Sequence, residues 1–238
     1  MRTQFKLGDL SVDVALKDIK NIHLSVNPPH GAVRISAPSR MSLDTIRVFA
    51  ISKLSWIRQQ QKKLREQERE PPREYLDRES HYVWGKRYLL EIVDDGAEKG
   101  LTLKHQVMVL RVRQGADDEL REALVARWYR EQIKVVVPGL VAKWEPIMGV
   151  KVERFFVRKM KTKWGSCNPR NRTIRLNTDL AKKRPEYLEY VVVHEMAHLR
   201  VRRHNDEFRS LMDLCLPNWQ VLRQGLNEAP LGHSEWEN

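Results

Sequence analysis

One short segment, residues 191–204, constrains this chain more than any other. It reads Val-Val-Val-His-Glu-Met-Ala-His-Leu-Arg-Val-Arg-Arg-His, so His194 and His198 are four residues apart. On an α-helix, with about 3.6 residues per turn, side chains at that spacing share one face. The apolar residues before His194 predict that this helix is buried. Two imidazoles arranged in this way can bind one Zn²⁺, with Glu195 beside the metal as a general base.

A third histidine, His204, follows six residues after His198. An unbroken helix would carry it about 9 Å past the other two, so it can join them only if the chain turns back. Asn205 is a favourable N-cap and is followed by acidic residues, which predicts a new helix starting there. His204 then lies at the corner between two helices. The plainer alternative is an ordinary helix that carries two surface histidines.

Other third ligands are weaker candidates. Glu207 lies a full turn beyond His204, and Glu228 lies in a tail that contains Gly and Pro. Three histidine ligands with one open position are typical of a catalytic zinc site, whereas a structural site has a fourth protein ligand. The remaining histidines lack partners in the sequence, and we expect them to lie at the surface or in ordinary packing: His23, His30, His81, His105 and His233.

Four segments together resemble those of a known family, the YgjP-like metallopeptidases, which are relatives of the SprT-like zincins. The segments are residues 160–167 with their Trp-Gly-Ser-Cys, residues 174–177, residues 190–199, and His204 with Phe208. The resemblance extends from about residue 21 to residue 219. It implies a zincin-type peptidase that acts on protein or peptide substrates, with His194, His198 and His204 as zinc ligands and Glu195 as general base.

The net charge of +12 and the isoelectric point near 9.8 favour an anionic partner. Solvated helix faces explain most Lys and Arg, but non-specific nucleic-acid binding is a rival function. A third hypothesis combines the two, a protease that acts on DNA-associated proteins. The oligomeric state stays open.

Membrane insertion and secretion are not expected. The sequence has no stretch of about 18 uncharged apolar residues and no apolar leader near its first residues. It contains two cysteines, Cys167 and Cys215, whose positions do not indicate a disulfide framework. These features predict a cytoplasmic protein.

The pattern along the chain predicts an α+β fold, with a β-rich N-terminal part followed by a helix-rich, zincin-like domain. Alternating residues predict strands before Ala37 and between residues 82 and 113. They flank one helix that starts at Ser42 and stops at Pro71. After Gly115 a long helix runs to about Met148, which Pro138 should kink or divide. We therefore predict that the chain divides into a β-rich N-terminal region, residues 1–114, and a zincin-like catalytic region, residues 115–238.

Residues 164–167 are predicted to form a turn, with Gly165 allowing the tight bend and Trp164 packing on the core. Two functional alternatives exist for this region. The following strand, near residues 173–177, can be an edge that pairs with an extended substrate. Cys167 can instead be a thiolate ligand that blocks the zinc. A group that stabilises the oxyanion is not evident, and Tyr187 and Arg203 are weak candidates.

Overall fold

The computed structural model describes residues 2–27, 31–66, 74–94, 100–160 and 163–228. It confirms the mixed α+β class, with helices concentrated later in the chain. The chain forms two compact units. The first contains the described residues up to 66, and the second contains those from 74 to 228. The change of pattern at Gly115 comes just before a long helix inside the second unit.

The first unit is a four-stranded sheet packed against two helices. Its strands are β1 (Arg2–Leu7), β2 (Leu10–Lys17), β3 (His23–Asn27) and β4 (Ala32–Pro38), in the order β1-β2-β4-β3. Strands β2 and β4 are parallel, and the other pairs are antiparallel. Alternation places one set of side chains in the core, including Val12, Val33 and Ile35, where Ile46 and Ile57 cover them.

The helical segment of the first unit is divided, whereas the sequence predicted one continuous helix. Helix α1 (Leu43–Ser52) ends at Lys53, and α2 (Leu54–Glu66) follows at once. Ser42 caps α1 as predicted, since its side chain accepts a hydrogen bond of 3.2 Å from the Thr45 backbone amide. The predicted stop at Pro71 and Pro72 lies outside the described residues, as do His30 and His233.

The second unit contains two sheets. One has four strands, β5 (Ser80–Val83), β6 (Lys86–Val93), β7 (Gly100–Lys104) and β8 (Val107–Arg111), in the order β5-β6-β8-β7. The other has three strands, β9 (Arg154–Arg158), β10 (Gly165–Asn168) and β11 (Thr173–Asn177), in the order β10-β11-β9.

The predicted turn at residues 164–167 is therefore wrong, because β10 pairs antiparallel with β11. Strand β11 lies in the middle of the three-stranded sheet, and the two edge strands are β10 and β9. A strand of four residues is too short to show alternation, so its existence depends on a partner further along the chain.

Helix α3 (Asp118–Met148) is continuous through Pro138, so the proline does not divide it. Its buried residues, among them Tyr129, Ile133 and Trp144, bind it to the core, and this packing offsets the missing backbone hydrogen bond. A 3-10 helix (Thr178–Lys182) and the helices α4 (Pro185–Arg200), α5 (Asp206–Cys215) and α6 (Trp219–Glu228) complete the unit. Among the described residues, no helix combines the length and the apolar character needed to cross a bilayer.

Candidate metal centre

Helix α4 is the scaffold of the site. It starts with Pro185 at its first turn, and its residues from Tyr190 to Val193 are buried. The carboxylate of Glu189 accepts hydrogen bonds from Lys143 Nζ at 2.7 Å and from Trp144 Nε1 at 2.9 Å, which joins α4 to α3. A helix fixed in this way presents the side chains of its third and fourth turns in defined directions.

The chain reverses after α4, as the sequence predicted. Val201 caps α4 through a 2.9 Å hydrogen bond from its amide to the Ala197 carbonyl. Asn205 caps α5, since its side chain accepts a 3.1 Å hydrogen bond from the Phe208 amide. His204 lies between the two caps and returns towards α4.

The three histidines converge. The Nε2 atom of His204 is 3.1 Å from Nε2 of His194 and 3.1 Å from Nε2 of His198. In a tetrahedral site with Zn–N bonds of about 2.0–2.1 Å, neighbouring ligand nitrogens are about 3.3 Å apart. The observed spacing therefore fits one small divalent ion. Of the described residues, this trio forms the group able to hold a metal, and the alternatives Glu207 and Glu228 are not part of it.

Backbone and aromatic contacts orient these rings. Nδ1 of His198 is 3.0 Å from the Val201 carbonyl, which only accepts, so Nδ1 carries the proton and Nε2 keeps its lone pair. The buried Phe208 ring lies beneath all three histidines, with centroid distances of 4.7–5.1 Å. Its place in the sequence, four residues after His204, is explained by this packing.

The surroundings favour the neutral form of two of the three imidazoles, those of His194 and His204. Burial, with the neighbouring His198 and His204, lowers the pKa of His194 to about 3. Burial also lowers the pKa of His204. Neutral imidazole is the form that binds a metal, so the pocket favours the ligand state at ordinary pH.

Glu195 is a buried carboxyl group beside the trio. Its side chain is 6 % exposed, and burial raises its pKa to about 7, while the charge of Lys163 acts in the opposite direction. Strand β10 passes very close to it. A Cβ atom added to Gly165 would be 2.6 Å from Glu195 Oε1 and 2.8 Å from Val191 Cγ1. Gly165 is therefore required for a close approach, and not for the tight turn predicted from the sequence.

An open cleft of about 270 Å³ leads to the site. Residues His194, Glu195 and His204 line one part of it. The remainder is formed by β10 with its preceding residues, by α4 and by α6, and it includes Lys163, Trp164, Tyr190 and Arg223. Tyr187 and Arg203 are not among the described residues that line the cleft.

Sequence reasoning missed Lys163, Tyr190 and Arg223 as parts of the cleft. Tyr190 was detectable in principle, because it precedes His194 by one helical turn and shares its face. Arg223 follows His204 by 19 residues and shares no periodic pattern with the histidines, so only the packing of α6 brings it to the site. Burial raises the pKa of Cys167 to about 12, which opposes its proposed role as a thiolate ligand.

Comparison with known proteins gives one family. The family model described as "YgjP-like, metallopeptidase domain" matches residues 20–229. No curated protein matches the sequence. Two crystal structures with 20% identity are similar to part of the chain. The metallopeptidase zymogen of Pyrococcus abyssi abylysin aligns over 38% of this chain and 90% of its own, with a TM-score of 0.36. That of Methanocaldococcus jannaschii jannalysin aligns over 38% and 96%, with a TM-score of 0.32.

Proposed function

Because the chain belongs to the YgjP-like metallopeptidase family, we propose that it hydrolyses peptide bonds with a zinc ion held by three histidines. The ligands are His194, His198 and His204, and Glu195 is the general base. The observation that carries the proposal is the convergence of three Nε2 atoms next to a buried carboxyl group in an open cleft.

Zinc is the metal that suits this donor set. Among the described residues the donor set consists of three imidazoles, without a thiolate or carboxylate, and such a set is typical of a catalytic Zn²⁺ site with an open position. When bound, zinc supplies Lewis acidity, which polarises the scissile carbonyl and acidifies the attacking water.

Glu195 moves the proton. As a carboxylate it accepts a proton from the attacking water, and as a carboxylic acid it donates that proton to the departing amine. Its burial disfavours the charged form, so the side chain holds a proton at a higher pH than an exposed glutamate does. A group that exchanges protons near pH 7 is suited to both steps.

Strand β10 is suited to hold an extended peptide. It is one of the two edge strands of its sheet, and it lies against α4 next to Glu195. Backbone groups on an edge strand can pair with a substrate strand, which would place a peptide bond along the cleft. The sequence suggested that the strand at residues 173–177 pairs with the substrate, and we now propose β10 for this role.

The test compares three proteins. The wild type should bind about one equivalent of zinc and should cleave a peptide pool made from casein. E195Q should bind the same amount of zinc and lose at least about 100-fold in cleavage rate, since a general base contributes roughly 10²–10⁴-fold. H194A should lose both. Zinc is measured by mass spectrometry and cleavage by fluorescence of newly formed amines. Unchanged cleavage by E195Q would exclude the proposed role of the glutamate.

The nucleic-acid alternatives and the cytoplasmic location stay predictions from charge and cysteine content. Both cysteines are free thiols, which is compatible with a reducing compartment. Stimulation of cleavage by added DNA is the signature of a protease that acts on DNA-associated proteins, and activity indifferent to DNA argues against it.

A further inference from the structure

Two cationic side chains line the metal cleft without an acidic partner. The ammonium group of Lys163 and the guanidinium group of Arg223 make no ion pair with any described residue. Other cations of the second unit do have such partners, for example Lys143 with Glu189 at 2.7 Å. Among the described cleft residues, Glu195 is the single acidic one. The cleft therefore offers two positive charges that form no close ion pair with the described residues.

The position of Arg223 is set by α6. Trp219 precedes it by four residues and Leu226 follows it by three, so all three lie on one face of the helix. Trp219 and Leu226 are buried, whereas Arg223 is exposed because the cleft opens at its position. The helix is held in place by a 2.7 Å hydrogen bond from Trp219 Nε1 to Asp213 Oδ1. It also packs closely at Gly225, where a Cβ atom would be 2.5 Å from the Tyr187 hydroxyl.

The backbone of Lys163 is fixed by Asn177. The buried Asn177 amide donates 2.9 Å hydrogen bonds to the carbonyls of Lys163 and Met160, and the Asn177 backbone amide donates to the Trp164 carbonyl at 2.9 Å. Lys163 therefore has a fixed backbone position at the β10 wall of the cleft, whereas Arg223 lies at the α6 wall.

Both cations lie close to the centre of the site. Lys163 and Arg223 line the same cleft as His194, Glu195 and His204, so they border the space where a substrate would bind. Positive charges near a divalent ion repel it, and an anion bound among them reduces that repulsion.

We propose that Arg223 and Lys163 form a carboxylate-binding subsite, which selects peptides with a carboxylate close to the scissile bond. This inference rests on the proposed peptidase function. The planar guanidinium group of Arg223 can bind a carboxylate through two parallel hydrogen bonds, and Lys163 adds a second positive charge. The carboxylate has two sources, an acidic side chain of the substrate or its free C-terminus.

Binding of two small probes tests the subsite without relying on cleavage. The probes are N-hydroxysuccinamic acid, which joins a metal-binding hydroxamate to a carboxylate, and the corresponding primary amide. Titration calorimetry is carried out on the zinc-loaded wild type, R223Q, R223K and K163Q. The control is R209Q, because Arg209 on α5 is paired with Asp206 at 3.0 Å and does not line the metal cleft.

We expect the wild type and R209Q to bind the acid about tenfold more tightly than the amide. In R223Q the two affinities should become nearly equal, whereas R223K should keep part of the preference and K163Q should reduce it. An acid preference that is unchanged in R223Q, or its absence from the wild type, overturns the subsite. If neither probe binds the wild type, the metal site itself is wrong and both proposals fail.

The source of the carboxylate is found by digesting a peptide pool with the wild type and R223Q. Cleavage that is lost when the C-termini are amidated identifies the free C-terminus. Enrichment of Asp or Glu within two residues of the cleaved bonds, absent from the products of R223Q, identifies a side chain. Cleavage that shows neither dependence overturns the proposal even if the peptidase function holds.

Discussion

At the scale of single residues, the site depends on the missing side chain of Gly165. Strand β10 can lie against α4 because no Cβ atom intrudes between its backbone and the carboxylate of Glu195. Gly165 and Glu195 are 30 residues apart in the sequence. Their contact is nevertheless so close that a Cβ atom at position 165 would not fit.

We expect G165A to lower the free energy of unfolding by about 1–3 kcal/mol, because the added carbon must displace Glu195 or Val191. It should also reduce cleavage, since Glu195, the proposed general base, is displaced. Chemical denaturation and peptide cleavage measure the two effects. The matched control is G139A in α3, where a Cβ atom meets nothing within 4 Å and should be neutral or stabilising. Wild-type stability and activity in G165A would contradict the proposed close contact.

Of the three proposed ligands, His204 depends most on the chain reversal. Replacing it by alanine should weaken zinc binding by more than the roughly 10–100-fold that is typical of losing an outer partner of a ligand. Competition with a chromophoric chelator measures the affinity. H23A is the control, because His23 is an exposed residue of β3 in the first unit. Equal zinc affinity in H204A and the wild type would remove His204 from the ligand set.

At the scale of elements, Asn177 links three parts of the second unit. It ends β11, it caps the 3-10 helix by accepting a 3.2 Å hydrogen bond from the Asp179 amide, and it holds the carbonyls of Met160 and Lys163. The same side chain therefore positions the entry to β10, which forms one wall of the cleft.

We expect N177A to lower the free energy of unfolding by about 1–3 kcal/mol, because it leaves the buried Asp179 amide and two part-buried carbonyls without their hydrogen-bond partner. The thermal midpoint measures the loss. In the control N168A the affected amides, those of Arg170 and Asn171, lie in an exposed turn where water can replace the side chain. N177A should therefore be the more destabilising of the two, and equal midpoints would show that Asn177 does not organise this region.

At the scale of the whole molecule, the chain contains two units, each with its own hydrophobic core. All three histidines of the trio belong to the second unit. A metal bound to the folded state alone stabilises the unit that contains its ligands, by an amount set by its concentration relative to Kd.

Removing the metal with a chelator should therefore lower the thermal midpoint of the second unit. With zinc at about 100 times Kd the loss is roughly 2.7 kcal/mol, or about 5–10 °C for a unit of this size. Hydrogen exchange read by mass spectrometry should show faster exchange in α4 and α5 and no change in β1 to β4. The variant H198A should not respond to the chelator. A uniform response over both units would contradict this assignment of the metal.

The sequence by itself determined the local features. Helical spacing places His194 and His198 on one face, and the capping residue Asn205 predicts the start of α5, because these effects act over one or two turns. Tertiary structure decided the rest. β10 exists because β11 pairs with it, Gly165 matters because α4 lies behind it, and Arg223 joins the cleft because α6 packs on α4. Strand pairing and helix packing between distant segments depend on the whole core. They therefore cannot be predicted from the residues of one short segment.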